Sequence, residues 1–253
     1  MSDAAAKIAV LRASLAQAGL ETLHKHARVP LGHHETDLCL HGGLERGALH
    51  EIFAAGTHET AATGFAAALG FRMAGKKRLL WIRQDFSALE HGELSATGFL
   101  EMGLDPSRIL ILRVADAANG LRAAGDALSC AALGAVVLEI PGEPKILDLV
   151  ASRRLTLACA QKNVSAFLLR FGAKPQASTA ETRWLIRGAC SSKNEDWGNP
   201  VFETDLLRNR HGRTGHWVMQ WSCENGCFRA ADCGAVVSAT CDRPVATEFG
   251  AVA

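Results

Sequence analysis

The chain of 253 residues has 48% apolar side chains, 21% charged side chains and no tyrosine, and its 27 basic and 26 acidic residues leave a formal charge of +1. This apolar content excludes a disordered protein, because enough surface can be buried to offset the entropy lost on ordering. The near-zero charge excludes a strongly basic nucleic-acid or membrane-surface protein as a property of the whole chain. The length favours one large α/β domain, and the apolar surplus indicates either an alanine-rich composition or surface for a partner.

The N-terminal segment carries Asp3, Lys7 and Arg12 where a secretory signal would need an uncharged apolar run. We therefore expect a cytoplasmic protein without a membrane segment, in which the eight cysteines are thiols rather than disulfides. Four late cysteines lack the paired C-x2-C spacing that is typical of zinc sites: Cys223, Cys227, Cys233 and Cys241. The prediction is that the chain holds no metal, with zinc at these cysteines as the less favoured alternative.

The first predicted element is an amphipathic helix over residues 4–24, which is followed by a break at Pro30. A glycine-rich block then leads to a strand over residues 49–53, a polar loop over residues 54–62 and an alanine-rich helix over residues 63–74. Strands and helices alternate beyond this point. Strands are predicted at residues 78–83, 109–114, 135–140 and 166–171, and helices at about residues 89–102, 119–132 and 145–163.

Strands and helices that alternate with short loops predict an α/β fold whose mostly parallel sheet is flanked by helices on both faces. After residue 173 the pattern changes to short strands separated by glycine-rich turns, at residues 182–187, 202–209, 216–222 and 228–230. These strands predict an antiparallel hairpin extension at the C-terminal end of the chain.

The strand, loop and helix over residues 49–74 have the order in which phosphate-binding loops occur. A working loop follows the pattern G-x4-G-K-[ST], because glycines let backbone N–H groups surround the phosphates, the lysine neutralises their charge, and the Ser or Thr ligates Mg²⁺. Gly56 and Thr63 match the first and last positions, whereas Ala61 and Ala62 replace the second glycine and the lysine. The sequence therefore predicts a degenerate nucleotide site that has no catalytic residue and holds no cofactor.

Two acidic residues belong to the same predicted site. Glu139 lies in the strand where such folds place the carboxylate that holds Mg²⁺, and Asp85 follows the strand where the carboxylate that polarises the attacking water is expected. A single acid at a strand end is more often an ordinary loop residue. We include both residues in the degenerate nucleotide site without giving either a catalytic role.

Three ordered segments of the chain resemble RecA-type ATPases. They are residues 38–53 before the phosphate loop, the strand-helix run over residues 81–112, and a late hairpin over residues 206–215. The HEIF sequence that ends at Phe53 and the LLRNR-x-GRTG hairpin look most like the ImuA family. The resemblance covers about residues 37–222 and implies a RecA-like core domain there, with an N-terminal helix and linker over residues 1–36 and a C-terminal tail over residues 223–253.

The ImuA family consists of RecA-like accessory proteins that are encoded beside a Y-family-polymerase-like protein and an error-prone polymerase in bacterial damage-induced mutagenesis cassettes. The resemblance therefore implies a non-catalytic adaptor in SOS-induced translesion DNA synthesis. It implies that the Y-family-polymerase-like protein of the same cassette is the partner, with RecA and a second copy of the chain as further expectations. The departures from active RecA at Ala61, Ala62 and Glu139 argue against nucleotide hydrolysis.

The late hairpin carries Arg208, Arg210 and Arg213 around its turn, which predicts a contact with DNA phosphates or with an acidic partner face. A solvated hairpin without a partner is the equally weighted alternative, since the overall charge of +1 argues against extensive DNA contact. The N-terminal helix over residues 4–24 and the C-terminal tail are further hypotheses for partner contacts.

Two other functions stay open at this point. One is an active DNA-dependent RecA-type ATPase with a divergent phosphate loop, in which Lys76 or Arg72 would replace the missing lysine. The other is a cell-division inhibitor of the SulA kind, which shares the RecA-like fold and damage-induced expression. SulA-like proteins are shorter and lack both the N-terminal helix and the late hairpin, so this function ranks last.

Overall fold

The structure is a computed structural model that describes residues 27–191 and 198–231. The predicted helix over residues 4–24 and the cysteines Cys233 and Cys241 lie outside these residues. The helices, in chain order, are α1 His34–Cys39, α2 Glu59–Ala74, α3 Asp85–His91, α4 Ala96–Glu101, α5 Ala117–Leu128 and α6 Leu149–Lys162. Within the described part of the chain, no helix is long and apolar enough to cross a bilayer.

The strands, in chain order, are β1 Arg28–Val29, β2 Leu44–Glu45, β3 Leu49–Ala54, β4 Arg78–Gln84, β5 Ile109–Val114, β6 Leu133–Pro141, β7 Ser165–Phe171, β8 Thr182–Ala189, β9 Val201–Asn209, β10 Gly215–Ser222 and β11 Cys227–Ala230. β1 and β2 form a small antiparallel ribbon. The other nine strands form one sheet with the order β11-β10-β9-β8-β3-β7-β6-β4-β5.

The sheet confirms the predicted architecture. The strands from β8 to β5 run parallel to their neighbours, and β3 at the centre pairs with both β7 and β8, so that Ile52 lies beside Leu169 and Trp184. The strands β9, β10 and β11 extend this sheet in the antiparallel direction. Long apolar runs without alternation form the central strands, as expected where helices cover both faces.

Two hydrophobic clusters lie on opposite faces of the sheet. One contains nearly the whole length of α2, whose run Ala66–Ala68 is fully buried against the sheet. The other is formed by α5 and α6 over β6 and β7. Small side chains let α2 lie close to the strands, so packing against the sheet explains the alanines of this helix without any partner surface.

The helix boundaries differ from the predicted ones at several places. α2 begins at Glu59 instead of residue 63, because the N–H of Ala62 already donates to the carbonyl of His58 at 3.1 Å. The helix predicted over residues 89–102 is two helices, α3 and α4, since the chain turns at Gly92 with a φ of 75°. α5 and α6 begin at residues 117 and 149, directly after the capping carboxylates of Asp116 and Asp148.

Candidate functional site

The segment that corresponds to the phosphate loop is short and mostly helical. Gly56 adopts a φ of 54° in an exposed turn, and α2 begins three residues later at Glu59. A phosphate-binding loop needs several free backbone N–H groups that point at the anion before the helix starts. Here Glu59 and Thr60 are already helical, and the N–H of Ala62 is used by the helix. The turn before the helix is therefore limited to residues 55–58, and further N–H groups for an anion would have to come from the first turn of α2.

The three residues at the end of the motif contact the apolar core or their own helix. Ala62, at the position of the lysine, is fully buried in the apolar cluster on α2. Ala61 packs against the same cluster. The hydroxyl of Thr63 donates to the carbonyl of Glu59 at 2.9 Å, which commits it to its own helix. A cation at position 62 would thus point into the core.

A cavity of about 420 Å³ lies between the first turn of α2 and the α3–α4 segment. Thr63 and Glu139 both line it, so the structure brings these two predicted residues together. The wall carries four carboxylates, from Glu59, Glu90, Glu93 and Glu139. Arg83 and His91 are the basic residues among the described lining. An excess of negative charge opposes the binding of a polyphosphate.

Glu139 is held in a buried ion pair with Arg83. The distance from Arg83 Nη2 to Glu139 Oε1 is 3.3 Å, and the two side chains are 2% and 1% exposed. Trp81 Nε1 donates to the other carboxylate oxygen at 3.1 Å. The strand position that would supply a Mg²⁺ ligand in an active enzyme is therefore occupied by a carboxylate that already has two donors.

Sequence reasoning missed the role of Arg83. Its Nε and Nη1 atoms are buried and donate no hydrogen bond within residues 27–191 and 198–231, and Nη1 lies 4.0 Å from Glu93 Oε2. An arginine inside an otherwise apolar strand was the available signal, because a buried charge needs an opposite charge nearby. The second half of that pair, Glu139, lies in the neighbouring strand β6.

Asp85 does not join the cavity. It lies at the start of α3 with a side chain that is 60% exposed, and it accepts from Arg113 Nε at 3.0 Å. Arg113 also pairs with Glu93. Gly56, Ala61 and Ala62 are likewise absent from the described lining of this cavity. Of the predicted nucleotide site, only Thr63 and Glu139 meet in one place.

The hairpin arginines have two different environments. Arg208 is half-buried in β9, and its Nη1 donates to the carbonyl of Ser178 at 2.8 Å. Arg210 and Arg213 are exposed in the turn between β9 and β10. The turn itself is fixed, because Asn209 donates to the carbonyls of Cys39 and Arg213. Two of the three arginines are therefore accessible to another molecule.

The fold is RecA-like. A crystal structure of the RadB recombinase superposes with a TM-score of 0.56 at 16% sequence identity, and the match covers 81% of this chain and 100% of RadB. No protein-family model matches the chain. Two curated relatives from strains of Caulobacter vibrioides, each described as Protein ImuA, are 31% identical over 197 residues, which is 71% of this chain and 77% of each relative. The chain belongs to the ImuA family, as the resemblance of its motifs predicted.

Proposed function

We propose that this protein is a non-catalytic RecA-like adaptor in SOS-induced translesion DNA synthesis, which binds the Y-family-polymerase-like protein encoded in the same cassette. Membership of the ImuA family supports a role of this protein in damage-induced mutagenesis. The observation that supports the non-catalytic part is the early start of α2 at Glu59, which shortens the phosphate-loop segment. RecA and a second copy of the chain are further partners in this proposal, and DNA is contacted weakly if at all.

Three features support a protein that does not hydrolyse ATP. Helix α2 begins within the phosphate-loop segment, the lysine position faces the core, and the carboxylate of Glu139 pairs with Arg83. Arg72 does not replace the lysine, because it lies nine residues beyond Thr63, about 13 Å along the helix axis. Its guanidinium donates to the carbonyls of Pro30 and Gly226 at the far end of α2.

Nucleotide binding tests the non-catalytic part. The purified full chain, free of RecA and of an affinity tag, is titrated with a fluorescent ATP analogue in the presence of Mg²⁺, with an active RecA protein as the positive control. We expect no saturable binding at millimolar nucleotide and no ATP turnover with single-stranded DNA. A micromolar affinity that disappears in Thr63→Val would overturn the proposal and favour the active ATPase.

Partner binding is tested through the exposed arginines of the hairpin turn. The double variant Arg210→Glu/Arg213→Glu reverses two exposed charges of the turn, and Arg153→Glu/Arg154→Glu makes the same change on the exposed side of α6. We expect the first variant to bind the polymerase-like protein at least about tenfold more weakly, which corresponds to about 1.4 kcal/mol, while the second binds normally.

The same two variants distinguish the partners. If the hairpin variant loses salt-dependent binding to single-stranded DNA but keeps the polymerase-like protein, the hairpin contacts nucleic acid. Capture of the tubulin-like division protein, with no capture of the polymerase-like protein by the unmodified chain, would contradict the adaptor proposal and favour the SulA-like alternative.

A further inference from the structure

Three ligand-bearing side chains from distant parts of the chain meet at one end of the sheet. Glu45 lies in β2, Glu181 directly precedes β8, and His211 lies in the turn between β9 and β10. Their ligand atoms all lie within 4.8 Å of one another. The distance from His211 Nε2 to Glu181 Oε1 is 3.4 Å. The cluster, named here the Glu–Glu–His cluster, is separate from the cavity beside α2.

The backbone holds each member of the Glu–Glu–His cluster in place. The N–H of Glu181 donates to Leu49 at 2.8 Å, and its carbonyl accepts from Arg210 at 2.9 Å. The carbonyl of Glu45 faces His50 Nε2 at 3.0 Å, and that of His211 faces His41 Nε2 at 2.9 Å. These contacts fix the backbone from which the three side chains extend, and a fixed backbone favours a preorganised metal site.

The carboxylate of Glu181 is buried beside a like charge. Its side chain is 8% exposed, and its ion pair among the described residues is the contact with His211. Burial and the neighbouring Glu45 raise the pKa of Glu181 to about 7, against the opposing effect of Arg210, Arg28 and Arg208. A cation bound between the two carboxylates and the imidazole would reduce the repulsion between the two negative charges.

Arg28 already contacts one side of the cluster. Its Nη2 lies 3.5 Å from Glu45 Oε2, at the outer limit of a hydrogen bond, while its Nη1 donates to the carbonyls of Leu40 and Gly43. Its positive charge also opposes the rise in the pKa of Glu181 and contributes to the lowered pKa of His211. Glu181 and His211 approach from β8 and from the hairpin.

We propose that Glu45, Glu181 and His211 bind one divalent transition-metal ion, such as Zn²⁺ or Mn²⁺. Imidazole nitrogen with two carboxylates is a donor set that such ions accept, and two carboxylates balance the charge of the ion. Three protein ligands leave a coordination position for water, and His211 is 32% exposed on that side. The ion would fasten the hairpin that carries Arg210 and Arg213 to the β1–β2 ribbon. This proposal is independent of the adaptor function.

Zinc titration of the tag-free full chain tests the site. The protein is first stripped with EDTA and then titrated by calorimetry, and the result expected is one equivalent of Zn²⁺ bound. Glu181→Gln and His211→Ala should each weaken binding by at least about tenfold. His216→Ala is the matched control, because His216 is another exposed histidine of the same hairpin and pairs with Asp205 instead.

The late cysteines provide the competing zinc site, so their contribution is measured separately. A variant with serine at Cys223, Cys227, Cys233 and Cys241 should retain the bound equivalent. Co²⁺ bound to the unmodified chain should show no sulfur-to-metal charge-transfer band. The proposal is overturned if no stoichiometric binding occurs, if Glu181→Gln and His211→Ala bind as well as the unmodified chain, or if only the cysteine variant loses the metal.

Discussion

Arg83 in β4 and Glu139 in β6 are cross-strand neighbours that form an ion pair at 3.3 Å with almost no exposure to solvent. Two charges buried together stabilise one another, but each becomes costly when its partner is removed. Both residues line the cavity beside α2, and within the pair each charge balances the other. The pair neutralises the carboxylate that would hold Mg²⁺ in an active relative of this fold.

Removing one member of this pair should lower the free energy of unfolding more than replacing both members with apolar side chains. We expect Glu139→Ala to lower the free energy of unfolding by about 3–5 kcal/mol, because Arg83 is left buried without its counterion. The double variant Arg83→Met/Glu139→Leu should lie within about 1–2 kcal/mol of the unmodified chain, since apolar side chains of similar size fill the space. Urea unfolding of Arg83→Met, Glu139→Leu and the double variant measures the coupling. Additive losses would show that the pair is not coupled.

Restoring the lysine should not restore a nucleotide site. Ala62 is fully buried, so Ala62→Lys places an ammonium group in the apolar cluster and should lower the free energy of unfolding by about 3 kcal/mol or more. Thr60→Lys, on the exposed side of the same helical turn, should change it by about 0.5 kcal/mol or less. Thermal melts with and without ATP measure both effects. Stabilisation of Ala62→Lys by ATP would contradict the helical assignment of this segment.

Much of the architecture could be predicted because local pattern determines it. Continuous apolar runs gave the parallel strands, and the glycine-rich turns after residue 173 gave the antiparallel extension. The helix starts were harder. The capping residues Asp116 and Asp148 were visible in the sequence, yet polar residues around them fit either a helix or a loop. The start of α2 depended on how alanines pack against the sheet, which the local pattern does not contain.

The contacts of the candidate sites depend on strand order instead. Arg83 meets Glu139 only because β4 and β6 are neighbours in the sheet, although β5 and α5 separate them in the chain. Glu45, Glu181 and His211 meet only because β2, β8 and the hairpin converge at one end. Pairings over such sequence separations follow from the tertiary fold, so periodicity and motif spacing did not reveal them.

His50 should make the stability of the protein depend on pH. The ring is fully buried in β3, where Nδ1 faces the hydroxyl of Thr182 at 2.8 Å and Nε2 faces the carbonyl of Glu45. A carbonyl only accepts, so Nε2 carries the proton of a neutral ring, and Thr182 donates to Nδ1. Burial lowers the pKa of His50 from 6.5 to about 4.

The sign of this effect follows from proton uptake. Between pH 6.5 and about 4 the unfolded chain binds a proton at His50 that the folded chain does not, so acid favours unfolding. The contribution of the neutral His50 ring to the free energy of unfolding is fully present above pH 6.5. It should fall by about 3 kcal/mol as the pH reaches 4, at about 1.4 kcal/mol per pH unit. The free energy of unfolding, measured in urea, should fall less between pH 7 and 4.5 in His50→Gln than in the unmodified chain. In the exposed variant His34→Gln it should fall as much as in the unmodified chain. Equal slopes in all three proteins would contradict a buried neutral ring.

Two glycines allow a matched test of how tightly α2 lies on the sheet. A Cβ atom at Gly134 in β6 would lie 2.5 Å from the Cα atom of Ala74, the last residue of α2, so Gly134→Ala must push the helix end away from the strand. We expect a loss of about 1–3 kcal/mol in the free energy of unfolding, as for other overpacked core positions. Gly125 in α5 has no atom within 4 Å of the corresponding position, so Gly125→Ala should gain about 0.5–1 kcal/mol from helix propensity alone. Both variants are measured by urea unfolding under the same conditions. If Gly134→Ala is as stable as Gly125→Ala, then α2 does not pack against β6 as closely as the structure places it.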